Sequence, residues 1–437
     1  MTDQGNVREL ALSVLLDVTS EKEYSHIALK EVLEKYQYLE KTKRAFLVRS
    51  VEGTLEHLLL LDYVLNQCAS VPVSKMKPTI RDILRLGVHE LKYMDSVPAS
   101  ATCNEMVKLA KKKGFRNLAG FVNGVLRNVS RSLSNIKWPD EQKEPIRALS
   151  IETSIQEWVL NQWESDYGTQ KMFEIARALD VQPPMTVRVN RTLLTAKALE
   201  EEFQKEQVSY EKAKDAEDAY YISGIDSLQK LSSFQKGYFY VQDVSSMQVA
   251  KIAEQKAKTA DFVLDVCGAP GGKALHLAQY LKEGARVLTR DLTPYKTDLI
   301  RQNIARCHIK NVDVQEWDAR RFDESLRGKA DIVLADLPCS GLGIMAKKKE
   351  IRYRMTREKE QELSLLQAEI LSVCAQYVKQ DGLLLYSTCT IDKMENEDNC
   401  RRFLKEHPDF SLMEERKIAP IKGERDGFYI AVMRKTK

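Results

Sequence analysis

The chain has 437 residues, of which 43% are hydrophobic and 30% charged, with a formal net charge of +4 at pH 7. These values are typical of a soluble globular protein with two or three domains. No secretory signal and no membrane span are expected, because MTDQGNVREL has no apolar h-region and LEHLLLLDYVLN is short and carries charges.

Eight cysteines bear on the compartment and on metal binding. They lie at positions 68, 103, 267, 307, 339, 374, 389 and 400. No two of them form a C-x-x-C pair, so zinc-ribbon spacing is absent and no metal is predicted. A chain of this length does not need a disulfide scaffold, so reduced thiols in the cytoplasm are the simpler interpretation.

Residues 6 to about 133 are predicted to be all-helical. Apolar residues recur at helical spacing in VRELALSVLLDVT, KRAFLVRSVEGTLEHLLLLDYVLNQC and IRDILRLGVHELKYM. No fixed-period repeat is visible, which favours a helical bundle over a solenoid. The following segment, SNIKWPDEQKEPIRALS, contains two prolines and many charges and is interpreted as a linker or irregular connection.

Residues 151 to about 235 mix helical and extended patterns. The stretches IQEWVLNQWESDYG, QKMFEIARALD and TAKALEEEFQKEQ predict helices, whereas PPMTVRVN and AYYISG predict strands. Together they indicate a small α+β module.

From about residue 236 strands and helices alternate. The strands are DFVLDVCG, ARVLTRD, NVDVQEWD, ADIVLAD and DGLLLYSTCT, and DGFYIAVMRK is predicted to close the chain as an antiparallel edge strand. This alternation favours a doubly wound α/β fold with a parallel sheet. Ligands of such sheets bind at the carboxyl ends of the strands, where the polar residues of this region fall.

The turn DVCGAPGGK, Asp265 to Lys273, connects a strand to a helix. It is neither a Walker A loop nor a G-x-G-x-x-G turn, because its glycines are spaced differently. The next strand ends at Asp291, whose carboxylate can accept hydrogen bonds from both ribose hydroxyls, and a third ends at Asp318, near an expected adenine amine. These features predict an adenosine pocket that suits S-adenosylmethionine; the alternative is a turn that serves only helix–sheet packing.

Two strands end in cysteine, at Cys339 in ADLPCSGLG and at Cys389 in YSTCT. Carbon 5 of a pyrimidine is a poor nucleophile, but a thiolate that adds to carbon 6 converts the ring into an enamine whose carbon 5 attacks a methyl group. A second thiol can then assist proton transfer or release. The competing interpretation is a small buried hydrophobe, and the pattern alone does not decide which thiol attacks.

Several motifs carry a family resemblance. DVCGAPGGKALHLA, DLPCSGLG, YSTCT, DGFYIA and GYFYVQDVSSMQVA resemble the Sun family of RNA 5-methylcytosine methyltransferases, and PPMTVRVN resembles its middle segment. The helical N-terminus with VNGVLRN resembles the NusB-like RNA-binding domain. The resemblance implies a NusB-like all-α domain at residues 1–140, a small α+β module at 141–235 and a Rossmann-like S-adenosylmethionine-dependent methyltransferase domain at 236–437.

The resemblance also implies a role for each site residue. Cys389 would be the nucleophile, Cys339 would aid product release, Asp336 would contact the target base, and Lys273 would face the active site. The implied cofactor site consists of Cys267, Gly268, Ala269, Pro270, Gly271, Gly272, Lys273, Asp291, Asp318 and Asp336. At Gly268 alanine is common in the family, a mild departure that should not block binding.

The implied substrate is one cytosine of small-subunit (16S) ribosomal RNA, which must be unpaired or flipped out for a thiol to reach its ring. Residues 108–131 carry seven basic side chains and no acid, and residues 347–359 carry seven against two acids, as suits a polyanion. Arg352, Tyr353 and Arg354 are candidate RNA contacts, and solvated surfaces are the alternative.

Three other functions stay open on the sequence alone. They are the same chemistry on transfer RNA, a non-catalytic RNA-binding scaffold, and a small-molecule methyltransferase. Intact Cys389, Cys339, Asp336 and Asp291 argue against the scaffold, and the basic stretches and extra domains argue against a small-molecule substrate. A cytoplasmic monomer without metal is expected.

Overall fold

The computed structural model of the protein describes residues 6–21 and 23–436. Within this part of the chain, the elements before residue 133 are all helices, which confirms the all-α prediction for residues 6 to about 133, and three further α-helices follow before the first strand. The helices are α1 Val7–Thr19, α2 Ser25–Lys35, α3 Lys41–Glu56, α4 Leu58–Cys68, α5 Pro78–Tyr93, α6 Ala99–Lys112, α7 Ala119–Ser132, α8 Pro145–Thr153, α9 Glu157–Tyr167 and α10 Thr169–Ala178.

Helix α5 is the centre of this bundle. It begins with Pro78, whose fixed backbone angle suits the first turn, and its apolar residues are buried around most of its circumference. A side chain at Gly87 would meet Leu126 of α7 at 2.7 Å, so glycine there lets the two helices pack closely. Helix α8 corrects the predicted irregular connection, because Pro145 begins a helix instead of interrupting one.

The remaining chain contains the strands and the other helices. The strands are β1 Met185–Val189, β2 Ser209–Lys212, β3 Ala219–Ser223, β4 Phe239–Val241, β5 Phe262–Asp265, β6 Arg286–Asp291, β7 Val312–Glu316, β8 Ala330–Asp336, β9 Val378–Thr388, β10 Phe410–Ile418 and β11 Phe428–Lys435. The helices are α11 Ala196–Lys205, α12 Ser232–Gln235, α13 Val244–Ala257, α14 Gly272–Ala278, α15 Pro294–Arg306, α16 Ile351–Arg354, α17 Arg357–Tyr377 and α18 Asn399–Glu406.

The smaller sheet confirms the α+β module. Its strands follow the order β2-β3-β1-β4, and β1 pairs antiparallel with both β3 and β4. Phe203 of α11 makes edge-on ring contacts with Tyr220 and Phe239, which fill the space between this helix and the sheet.

The larger sheet confirms the α/β prediction. Its order is β10-β11-β9-β8-β5-β6-β7, and the five strands from β9 to β7 run parallel. Strand β11 is antiparallel as predicted, but its position as the edge strand was wrong. It lies between β9 and β10, and β10 forms the edge.

The chain forms two compact units. One consists of Met1–Asp180 and Lys347–Arg354, and the other of Val181–Ala346 and Met355–Lys437. We call Lys347–Arg354 the returning segment, because the chain leaves the second unit to complete the first. The three-domain boundaries near residues 140 and 235 stay a prediction.

The returning segment is not the exposed basic loop that the sequence suggested for RNA contact. The Arg352 side chain is fully buried in the first unit and donates to the carbonyl oxygen of Leu179 at 2.6 Å and to Asp180 Oδ1 at 3.1 Å. Lys349 pairs with Glu56 at 2.9 Å. Arg352 therefore does not offer its guanidinium to RNA as this unit is folded.

The other basic stretch, residues 108–131, is also partly neutralised. Lys112 and Lys113 both pair with Glu9 of α1, and Lys108 pairs with Glu105. The fold thus supplies carboxylates that the local sequence lacks. In the described ranges, no helix combines the length and apolar character that a membrane crossing requires.

Candidate active site

The parallel strands bring the predicted site residues to one edge of the larger sheet. Asp265, Asp291 and Asp336 are the last residues of β5, β6 and β8, and Cys389 directly follows β9. Strand β5 lies between β6 and β8, so the chain winds outward in both directions from this point. Such a switch in strand order opens the crevice where doubly wound sheets bind ligands.

The two thiols of the sequence motifs lie in contact. Cys339 Sγ is 3.2 Å from Cys389 Sγ, although fifty positions separate the two residues. The interaction with Cys389 and burial raise the pKa of the Cys339 thiol well above its usual range. Cys339 therefore keeps its proton, and its S–H can donate to the Cys389 sulfur.

Asp336 and Lys273 form a charged pair beside the thiols. Lys273 Nζ lies 2.6 Å from Asp336 Oδ2, and Ser387 Oγ donates to Asp336 Oδ1 at 2.7 Å. Burial lowers the pKa of Lys273, but the attraction of Asp336 outweighs it, so the net pKa is raised and the amine stays charged. The ring of Phe428 lies 5.3 Å from Lys273 Nζ. The sequence did not single out Ser387 or Phe428, although both belong to the quoted motifs.

The glycine-rich turn is held from two sides. The Ala269 backbone N–H donates to Asp291 Oδ2 at 3.0 Å, and Asn303 Nδ2 donates to the Pro270 carbonyl oxygen at 3.0 Å. Gly271 has φ +106°, a backbone conformation that side chains rarely adopt. The turn therefore lies beside Asp291, the last residue of β6.

Local packing explains why position 268 is a glycine. A Cβ at this position would lie 2.0 Å from Thr289 Oγ1 and 2.7 Å from Asp265 Oδ2. The space that alanine needs is occupied here by the Thr289 hydroxyl. Thr289 on β6 therefore favours glycine at position 268 in this chain.

Asp265 is a further polar group at the turn. Burial raises its pKa to about 7, with a smaller contribution from Asp336. Its Oδ1 atom is buried and has no hydrogen-bond donor among the described residues. A buried acceptor of this kind fits a cationic ligand such as a sulfonium or ammonium group. Its position two residues before Cys267 was the available sequence signal.

Asp318, the residue predicted near adenine, is already paired with an arginine. Asp318 follows β7 and accepts hydrogen bonds from the Arg320 backbone N–H at 3.0 Å and from Arg320 Nη2 at 2.7 Å. An adenine amine there would share Asp318 with Arg320.

Burial raises the pKa of the Cys267 thiol well above its usual range, so Cys267 lines the turn as a neutral group.

Three motifs meet through their backbones. The Gly343 N–H donates to the Cys389 carbonyl oxygen at 3.1 Å, and the Gly427 N–H donates to the Gly343 carbonyl oxygen at 2.9 Å. A side chain at Gly343 would lie 2.4 Å from the Gly427 oxygen. The thiol loops and the loop before β11 therefore form one hydrogen-bonded unit.

A buried carboxyl network supports the Cys339 loop. Glu395 Oε2 accepts from the Ser340 backbone N–H at 2.9 Å and from Gln367 Nε2 at 2.8 Å. Glu360 and Asp392 lie close by, with carboxylate oxygens of the three acids within 4.8 Å of one another. A divalent cation accepts such oxygen ligands, so the expected absence of a metal stays a prediction.

Comparisons with known proteins agree with this geometry. A family model described as 16S rRNA methyltransferase RsmB/F matches residues 253–434, the NusB family model matches residues 5–131, and a ferredoxin-like domain of RsmF/B-like methyltransferases matches residues 156–225. A probable ribosomal RNA small subunit methyltransferase B of Bacillus subtilis is 34% identical, covering 98% of this chain and 99% of its own. The chain belongs to the RsmB/F methyltransferase family. It is thus an enzyme of the predicted family.

Other similar proteins match all or part of the chain. A probable ribosomal RNA small subunit methyltransferase B of Synechocystis is 28% identical over 93% of this RsmB/F chain and 90% of its own. The crystal structure of PH0851 superposes with a TM-score of 0.84 at 24% identity over 99% of both chains. NSun6 from Pyrococcus horikoshii, solved with SFG, superposes with a TM-score of 0.58 at 20% identity over 64% of this chain and 97% of its own. These structures support the fold.

Proposed function

We propose that this RsmB/F methyltransferase methylates carbon 5 of a cytosine in small-subunit ribosomal RNA through a covalent cysteine–cytosine adduct, in the cytoplasm and with S-adenosylmethionine. The observation that carries the proposal is the 3.2 Å contact between Cys339 and Cys389 beside the Lys273–Asp336 pair. Methylation of an amine needs no thiol, whereas carbon-5 methylation of a pyrimidine needs a nucleophile at carbon 6.

The residues of the turn fit the proposed cofactor. In the proposed complex Asp291 would bind ribose and the unpartnered Asp265 Oδ1 would face a positive charge. Asp318 would bind adenine while it also accepts hydrogen bonds from Arg320. Leu292 and Tyr295, which follow Asp291, are exposed by 54% and 62% and offer apolar surface beside the ribose position. When bound, S-adenosylmethionine supplies an electrophilic methyl group.

The protein side chains account for the remaining steps. Cys389 attacks carbon 6 as a thiolate, and the Lys273 ammonium, held by Asp336, stabilises negative charge that moves onto the ring nitrogen and carbonyl oxygen. The Asp336 carboxylate accepts a hydrogen bond from the cytosine amino group. After methylation a solvent water takes the carbon-5 proton, the ring double bond re-forms, and the carbon–sulfur bond breaks so that Cys389 leaves as a thiolate. The protonated Cys339 donates to the departing sulfur.

A trapping experiment tests this assignment. Cys339→Ala and Cys389→Ala proteins are incubated with small-subunit RNA and labelled S-adenosylmethionine and run on a denaturing gel. We expect Cys339→Ala to accumulate a covalent RNA–protein adduct, because release is impaired, and Cys389→Ala to form none. Cys68→Ala, a half-buried thiol of α4, serves as the matched control and should turn over as the unaltered protein does.

Each other outcome is informative. An adduct with Cys389→Ala but not with Cys339→Ala would exchange the two roles and keep the chemistry. If the unaltered protein methylated transfer RNA and left small-subunit RNA unmodified, the substrate would be wrong. Methyl transfer without an adduct in either variant would contradict the covalent mechanism.

A further inference from the structure

A cavity in the second unit has neither Cys339 nor Cys389 in its lining. Its volume is about 460 Å³. Its lining includes Asp215, Ser245, Arg416, Lys417, Ile418 and Arg425. We call it the strand-end cavity, because Arg416, Lys417 and Ile418 are the last residues of β10. The volume is within the range of small-molecule sites and large enough for one nucleotide.

The strand-end cavity offers arginine donors to an anion, although each of its cations also has a carboxylate partner. Three of its side chains are cationic and one, Asp215, is a carboxylate. Arg416 pairs with Glu414 and Lys417 with Glu397, and both cations keep about half of their side chains exposed. Arg425 pairs with Asp215, and its Nε atom is buried without a hydrogen-bond partner in the described part of the chain. Arginine is suited to phosphate because its guanidinium can donate two parallel hydrogen bonds.

The cavity adjoins the loops that carry the thiols. Ile418 pairs with Phe428, the residue whose ring faces Lys273. Ser245 Oγ donates to the Asp426 carbonyl oxygen at 2.9 Å, and the next residue, Gly427, bonds to Gly343 of the Cys339 loop. Strand β10 is two strands from β9, which corresponds to about 10 Å at the usual strand spacing.

We propose that the strand-end cavity binds a nucleotide of the RNA substrate that neighbours the target cytosine, with its phosphate on Arg416 and Arg425. This inference rests on the proposed function and adds to it a binding site for single-stranded RNA. A flipped or unpaired cytosine at Cys389 requires its neighbours in the strand to follow the protein surface. Grooves for single strands follow the phosphate backbone with cationic side chains and stack bases on aromatic rings. The strand-end cavity supplies the cationic side chains, and its described lining residues include no aromatic ring, so the phosphate carries the proposed contact.

Charge variants of opposite sign test the inference. Arg416→Gln and Arg425→Gln remove cations from the cavity, and Asp215→Asn removes its carboxylate. Arg401→Gln is the matched control, because Arg401 of α18 forms an exposed ion pair with Asp398, just before that helix, and does not line the cavity. The measurements are the dissociation constant for a small-subunit RNA fragment at several salt concentrations, KM and kcat for the RNA, and S-adenosylmethionine affinity.

We expect the two arginine variants to weaken RNA binding about threefold to tenfold each and to raise KM, with kcat and S-adenosylmethionine affinity unchanged. The slope of log affinity against log salt should fall by about 0.7 for each single-strand phosphate that the variant no longer neutralises. Asp215→Asn should tighten binding, because the cavity loses its repulsive charge. Arg401→Gln should match the unaltered protein.

Other results would overturn the inference. Unchanged affinity and salt slope in the double variant Arg416→Gln/Arg425→Gln, in a protein that still methylates RNA, would reject the cavity and leave the proposed function intact. Weaker binding in Asp215→Asn as well would indicate a merely structural effect of the Arg425–Asp215 pair and would also reject it. If the unaltered protein transferred no methyl group to RNA, the proposed function would fail and the inference with it.

Discussion

Single buried carboxyls near the thiols hold protons that an unfolded chain would release. Burial raises the pKa of Glu395 from an ordinary value of 4.5 to about 7, against hydrogen bonds from Ser340 that lower it, and the neighbouring Asp392 adds to the increase. In this range the folded protein binds more protons than the unfolded chain. Stability should therefore fall as pH rises from about 4.5 to 7 and stay at the lower level above 7.

We predict that Glu395→Gln removes this part of the pH dependence, because an amide does not titrate. The difference between pKa values of 4.5 and about 7 corresponds to ~3 kcal/mol at most. Urea unfolding at pH 5 and pH 8 measures it, and the loss of stability between the two values should be smaller in the variant. The surface variant Glu324→Gln, whose carboxyl pairs with Arg327, is the control. The same pH dependence in Glu395→Gln and the unaltered protein would reject the buried proton.

A second prediction concerns the space beside Gly268. Gly268→Ala should reduce stability by about 1–3 kcal/mol, because the new methyl group overlaps the Thr289 hydroxyl. Thr289→Ala removes that hydroxyl, so the double variant should recover part of the loss, and a double-mutant cycle on unfolding free energies measures the coupling. Gly272→Ala is the control in the same turn, since its nearest atom would be 3.8 Å away. Additive effects of the two changes would contradict the steric explanation.

At the scale of elements, the helices and the buried parallel strands followed from the sequence because periodicity reflects burial. Strand β10 was not predicted, because a strand with little burial has no periodic apolar pattern. It is an edge strand whose charged residues stay in solvent, so it lacks the apolar alternation of a half-buried strand. Helix α8 was missed because Pro145 signals a break in a sequence but also suits the first turn of a helix.

The site was predictable where its residues end strands, and less so where folding brings partners from afar. Asp336 and the two cysteines lie at the expected sheet edge, since parallel strands share that edge. By contrast, the Ser340 backbone N–H donates a hydrogen bond to Glu395, which lies far away in the sequence, and no residue spacing predicts this contact. The basic stretches are partly neutralised for a related reason, because Glu9 and Glu56 reach them from other elements.

At the scale of the whole molecule, the first unit is not formed by continuous chain. The returning segment supplies Arg352, whose side chain is fully buried and donates to the carbonyl oxygen of Leu179 and to Asp180. It also supplies Glu350, which accepts from Ser25 Oγ at 2.7 Å. The first unit therefore depends on eight residues from far along the chain for hydrogen-bond donors and acceptors.

We predict that Arg352→Ala destabilises the first unit by about 3–5 kcal/mol, because it leaves the Leu179 carbonyl group and the Asp180 carboxylate without their buried cation. Hydrogen exchange followed by mass spectrometry should show faster exchange in α8 and α10, with α14 and β9 unchanged. Lys348→Ala, in the same segment but half-buried, should leave exchange as it is. The sequence hypothesis that Arg352 contacts RNA predicts the reverse pattern: normal exchange in both helices and weaker RNA binding. Because a buried guanidinium supports the fold and an exposed one supports binding, the two measurements on one variant decide between these roles.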